Sequence, residues 1–80
     1  MAVGTIRYWA AARAAAGRAE EPYDGSTLAD VVQAAAQSHG PDLAKVLDHC
    51  SFLVDGIRAR PDTVLPDGGV IEVLPPFAGG

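Results

Sequence analysis

Cysteine is nearly absent: Cys50 stands alone in 80 residues, which excludes an internal disulfide and a multi-cysteine metal site. Its neighbour His49 does not make a nucleophile pair with it, because adjacent residues do not face each other on a helix or a strand. Cys50 therefore reads as a small, half-buried side chain. Cations are also few, six Lys and Arg against ten Asp and Glu, for a net charge of −4. Phosphate binding is driven by Lys and Arg, so this balance argues against nucleic-acid and membrane partners and favours a partner with a basic surface. No apolar run approaches the ~18 residues of a membrane span, and Met1 to Ile6 has no basic stretch leading into an apolar segment. The expected location is cytoplasmic. His39 and His49 lack ligand spacing with each other or with Cys50. His39, just before Gly40-Pro41, is expected to meet the last carbonyls of a helix.

What is present is an ordinary globular composition, 49% hydrophobic and 20% charged, which predicts one small domain. A chain of this size buries only roughly 60% of its unfolded surface, too little for a deep self-contained cleft, so catalysis would need a partner. Val3 to Trp9 alternates apolar and polar residues, the period of a half-buried strand. Ala10 to Ala16 is nearly all helix former and stops at Gly17, which predicts a short helical turn on the surface. Arg18 to Tyr23 carries Glu20, Glu21 and Pro22, the marks of an edge strand. Thr27 as N-cap places Asp30 at N3, a relative of the capping box. Leu28, Val31, Val32 and Ala35 then form one apolar stripe. This main helix should end at His39-Gly40-Pro41, with Gly40 in the left-handed region. Leu43, Val46 and Leu47 repeat the helical spacing in a second short piece.

Phe52 to Val54, the turn signal Asp55-Gly56 and Ile57 to Arg60 predict a hairpin whose return strand turns Arg58 and Arg60 outward. Pro61-Asp62 and Pro66-Asp67-Gly68-Gly69 are turns. Val70 to Leu74 is branched and apolar at nearly every position, as in the middle of a sheet. The expected fold is α+β, a mixed sheet of about five strands wrapped on one main helix. A single helix covers one face only, which leaves the opposite face as a candidate interface. No repeat or low-complexity tract appears beyond the short alanine run.

After Leu74 the character changes to Pro75-Pro76-Phe77-Ala78-Gly79-Gly80. Prolines cannot donate to a ladder and favour an extended conformation, so residues 75–80 should leave the domain formed by residues 1–74. Six extended residues reach at most about 20 Å. The glycine pair would let a carboxylate slide through a narrow passage, because glycine permits close backbone approach. A carboxylate is a poor electrophile when ionised, and its general activation is ATP-dependent acyl adenylation, with AMP as leaving group for a sulfur or nitrogen nucleophile.

Over essentially its whole length the chain resembles the MoaD-type small sulfur-carrier subunit of molybdopterin synthase, within the MoaD/ThiS family of ubiquitin-like β-grasp proteins. The matching stretches are Tyr8 to Gly17, Ser26 to Val31, Phe52 to Gly56, Leu65 to Gly68 with Val70 to Leu74, and above all the Pro75 to Gly80 tail. The resemblance implies that Gly80 is adenylated by a MoeB-type activating enzyme, which uses ATP, and converted to a thiocarboxylate. It implies that Pro75, Pro76, Phe77, Ala78 and Gly79 then thread into a MoaE-type large subunit, where sulfur passes to cyclic pyranopterin monophosphate. The chain itself would hold no cofactor or metal and would contribute no acid or base.

Three departures from the family pattern stand out. Asp55-Gly56 replaces Asn-Gly with equivalent turn chemistry, Gly69 replaces an acid, and Phe77 replaces a smaller aliphatic residue. Phe77 could pack on its own sheet edge or anchor in a partner groove. Two other readings keep the tail: a carrier for thiamine thiazole or cysteine synthesis, and a ubiquitin-like modifier whose carboxylate is joined to lysines.

Overall fold

The computed structural model describes residues 1–76. The elements run β1 (Ala2–Tyr8), α1 (Ala10–Ala16), β2 (Glu20–Gly25), α2 (Leu28–His39), α3 (Pro41–Leu47), β3 (Ser51–Val54), β4 (Ile57–Arg58) and β5 (Val70–Leu74). The strands form one mixed sheet in the order β2-β1-β5-β3-β4. Central β5 runs parallel to β1 and antiparallel to β3. Strand β2 pairs antiparallel with β1 and occupies one edge. The α+β, ubiquitin-like β-grasp arrangement expected from the sequence is the one observed.

Alternation along β1 and β5 decides what is buried. Ile6, Tyr8, Ile71 and Val73 point to the helix side and are almost fully buried, joined there by Leu28, Val31 and Leu43 from α2 and α3. At the start of α2 the Thr27 hydroxyl accepts from the Asp30 N–H and the Asp30 carboxylate accepts from the Thr27 N–H, a complete capping box. The Asp55-Gly56 turn has positive φ at both residues, the geometry of a type I′ hairpin. On β2, the bond from the Tyr8 N–H to the Ala19 carbonyl fixes the phase, so that Glu20, Pro22 and Asp24 aim their backbone groups away from β1. Pro22 has no N–H to offer there, which blunts the edge against further pairing.

Four expectations need correction. Helix α1 lies at the surface as expected but is not wholly exposed: Ala12 is completely buried and Ala16 nearly so, which turns one side of the helix into the core. The return strand is shorter than Ile57 to Arg60. Only Ile57 and Arg58 pair with β3, and the Arg60 N–H then donates to the Thr63 hydroxyl in a turn built around Pro61. Gly40 keeps the expected positive φ, 93°, but its ψ of −172° lies outside the left-handed helical region, since it also caps the start of α3 with Pro41 at the first helical position. His39 does not serve the end of α2. Its Nε2 lies 2.6 Å from Oε2 of Glu21 on β2.

Candidate functional site

Strand β5 delivers the chain to the site. Ile71 and Val73 are fully buried, and β5 is hydrogen-bonded on both sides, so the chain leaves the sheet after Leu74 from a fixed point. Beside it, β1 ends and α1 begins. The Trp9 N–H donates to the Val73 carbonyl at 3.2 Å, which ties the end of β5 to that junction. The alternation that buries Tyr8 turns Trp9 to the open side of the sheet, where it is 45% exposed. Ala10 follows with φ 49°, a left-handed conformation that costs a residue bearing a Cβ about 1 kcal/mol or more. Strain of this kind gathers at functional sites.

The result is a groove of about 510 Å³ at the root of the tail. It is lined by Trp9, Ala10, Ala11, Leu74, Pro75 and Pro76 together with the polar His49 and Ser51. Sequence reasoning named Pro75 and Pro76 here but missed the rest. The signal was available: Trp9 falls on the polar phase of an alternating strand, which predicts an exposed aromatic. Phe77, Ala78, Gly79 and Gly80 lie outside the described residues.

The remainder of the open face is mixed. Register places Glu20, Arg7, Glu72, Leu53 and Arg58 side by side across the five strands, with an Arg7–Glu20 ion pair at 3.2 Å. Charge of both signs alternates along this row, and exposed apolar side chains lie at both ends of β1 on this face, Val3 at its start and Trp9 just past its end.

Away from the groove, titratable side chains are engaged structurally. Burial pushes the Cys50 thiol up, and its Sγ donates to the Val46 carbonyl, as expected of an inert half-buried thiol. Tyr8 donates to Oε2 of Glu21 at 2.5 Å, the same oxygen that His39 meets, and Arg18 lies 3.5 Å from Oε1. Burial alone would raise the Glu21 carboxyl, but the hydrogen bonds from Tyr8 and His39 outweigh it and hold the group below its ordinary value. Burial, then the Glu21 hydrogen bond, pushes the Tyr8 phenol up. A shallower cleft of about 240 Å³ lies between β2 and α2 beside this cluster. Among the described residues, no buried polar side chain lacks a partner, no group of His, Cys, Asp and Glu could hold a metal, and no helix is long and apolar enough to cross a membrane.

Comparison with known proteins gives the same picture. The family model described as "ThiS family" matches residues 6–80. No curated protein matches the sequence. Among solved structures, small archaeal modifier protein 1 from Methanosarcina acetivorans is 28% identical over 100% of this chain and 98% of its own, with a TM-score of 0.88. A chain from the complex of subunits 1 and 2 of molybdopterin-converting factor from Helicobacter pylori is 23% identical over 98% of this chain and 99% of its own, at 0.71. A chain from the Amycolatopsis orientalis BexX/CysO complex is 17% identical over 95% and 98%, at 0.78. The last two likenesses, at such identity, concern the fold alone.

Proposed function

Because the chain belongs to the ThiS family, we propose that it is a sulfur carrier for molybdopterin assembly, with the α-carboxylate of Gly80 as its reacting group. The carboxylate attacks ATP on a MoeB-type enzyme, forming an acyl adenylate and releasing pyrophosphate. Sulfide-level sulfur (HS⁻) then attacks the acyl carbon and displaces AMP, and a thiocarboxylate remains. Carried into a MoaE-type large subunit, its sulfur attacks a carbon of cyclic pyranopterin monophosphate as a C–O bond there breaks and the oxygen leaves, and water then hydrolyses the resulting thioester, which returns the carboxylate of Gly80 and leaves a thiol on the pterin. Neither ATP nor the pterin is held by this chain.

The observation that carries the reading is the family match running through Pro75-Pro76-Phe77-Ala78-Gly79-Gly80 to residue 80. In support, the described part of the tail departs from the central strand of the sheet, beside an apolar groove that a large subunit could cover. The test is Gly80→Ala together with a variant carrying one residue after Gly80. Both should fold normally and fail to acquire sulfur, and normal product yield from the extended variant would refute the reading.

A second reading is favoured by one finding, the 28% identity to an archaeal protein whose name describes a modifier. In it the same adenylate is attacked by a lysine amine, giving an isopeptide bond and AMP. Cells would then contain adducts of higher mass carrying the tail peptide. A carrier for thiamine thiazole or cysteine synthesis shares the thiocarboxylate and differs only in the partner recovered with it.

A further inference from the structure

The chain contains the pairs Asp24-Gly25, Asp55-Gly56 and Asp67-Gly68. All of them are open to one reaction in principle, because a glycine bears no side chain to shield its amide nitrogen from the carboxyl carbon of the residue before it. The fold treats them differently. The Gly68 N–H donates to the Val3 carbonyl at 2.7 Å and the Asp67 carboxylate accepts from the Val3 N–H at 3.0 Å, so both reacting groups are tied. Gly25 lies opposite Ala2 in the β1–β2 ladder, in the phase that points its backbone groups toward β1, and a Cβ there would lie 3.0 Å from Val31. Gly56 has neither restraint. Val54 pairs with Ile57 across the turn, and the Gly56 N–H has no acceptor among the described residues. Both turn residues are exposed, and no atom beyond the chain neighbours of Gly56 lies within 4 Å of where a Cβ would stand.

We propose that Asp55-Gly56 is a site of spontaneous backbone modification, at which the folded chain passes through a cyclic imide to isoaspartate. The Gly56 amide nitrogen attacks Cγ of Asp55 and bonds to it, and the amide proton leaves with the carboxyl hydroxyl as water. Water then opens the imide ring. Attack at Cγ restores aspartate. Attack at the former peptide carbonyl breaks its bond to nitrogen and leaves isoaspartate, joined to Gly56 through Cγ. The reaction needs no oxidant, reductant or partner. On the carboxyl side one restraint must be released, the bond that Oδ1 of Asp55 accepts from the Val70 N–H at 2.8 Å.

The position decides what the change does. Isoaspartate carries Cβ in the main chain, so the backbone gains an atom in a turn that closes with φ of 51° at Asp55 and 80° at Gly56. A lengthened turn does not hold the same register, and β4 is only Ile57 and Arg58. The carboxylate that accepts from Val70 is consumed in the same event, and Val70 is the first residue of the central strand β5. The modification therefore loosens the edge hairpin and the start of the strand that leads to the tail. The inference goes beyond the sulfur-carrier reading and does not rest on it, since the reaction asks nothing of Gly80.

The test holds the full chain at neutral pH, folded and in parallel unfolded in urea, and samples both over time. Aspartate and isoaspartate have the same mass, so electron-transfer fragmentation of the peptides locates the change, and methylation by a purified isoaspartyl methyltransferase with labelled S-adenosylmethionine counts it. In the folded chain isoaspartate should accumulate at Asp55 about ten-fold faster than at Asp67, where the Gly68 hydrogen bond must also break. In urea this difference should vanish. Amide hydrogen exchange at Ile57 and Val70 should quicken in the isoaspartyl fraction while the amides of α2 keep their protection. Equal rates at Asp24, Asp55 and Asp67 in the folded chain overturn the proposal, as does a folded Asp55 that stays unmodified while the unfolded chain converts. Unchanged exchange at Ile57 in the isoaspartyl fraction overturns the loosening of the hairpin.

Discussion

The parallel pair β1–β5 is finished differently at its two ends. At the start of both strands the structure is locked: the Thr5 N–H donates to the Gly69 carbonyl, the Gly68 N–H to the Val3 carbonyl, and the Val3 N–H to the Asp67 carboxylate. The Tyr23 hydroxyl closes over this end and donates to the Pro66 carbonyl at 2.6 Å. Packing there leaves no room for a Cβ at Gly4 or Gly69. At the other end a single backbone bond, Trp9 to Val73, precedes a left-handed Ala10, a half-exposed indole and an open groove. One end is built for stability and the other leaves apolar surface and strain facing the tail. The same contrast explains Gly69, which departs from the acid of the family pattern: a Cβ there would lie 2.6 Å from Pro66 Cγ and 2.9 Å from the Tyr23 hydroxyl.

Substitutions at the two ends sharpen or break this contrast. The largest effect on stability is expected at the locked end. In Gly4→Ala the new methyl meets the Gly69 carbonyl oxygen and sits 2.5 Å from the Tyr23 ring, and overpacking of this kind costs about 3 kcal/mol. Urea unfolding checks it, and a loss under 1 kcal/mol would mean that this end yields more readily than its contacts suggest. Trp9→Ala at the open end should leave the unfolding midpoint nearly unchanged and weaken partner binding by roughly thirty-fold, as for an aromatic hot spot. Titration calorimetry against a purified large subunit reads it. Equal affinity would remove the groove from the interface.

Smaller effects follow from single polar groups. Tyr23→Phe leaves the Pro66 carbonyl without its donor, and a loss of about 1 kcal/mol is expected in urea unfolding. The Glu21 carboxyl, held below its ordinary value by Tyr8 and His39, contributes stability that is fully present above the usual carboxylate range. That contribution is lost as pH falls through the lowered folded value. Glu21→Gln should therefore flatten the acid limb of a stability–pH curve. An unchanged acid limb would show that the cluster is not what acid breaks.

Local chemistry made much of this fold legible in the sequence. Thr27 and Asp30 announce the capping box, Asp55-Gly56 the turn, and the apolar run Val70 to Leu74 the central strand, because each depends on neighbours a few residues away. The misread features depend on distant residues. His39 meets Glu21 across 18 positions, and no spacing rule links them. Ala12 is buried because other elements close over α1, which an alanine run cannot reveal by itself. At the site, the prolines were readable as a break from the sheet, whereas the groove exists only because β5 brings Leu74 beside Trp9.

The central claim, that Gly80 carries activated sulfur, is tested most directly by tandem mass spectrometry of the C-terminal peptide of protein isolated with its co-eluting partners from cells making the cofactor. Fragmentation must localise the change, because exchanging oxygen for sulfur adds nearly the same mass as oxidising Met1. The account predicts a thiocarboxylate at Gly80 and a MoaE-type large subunit among the partners. An unmodified Gly80 with no such subunit would contradict it.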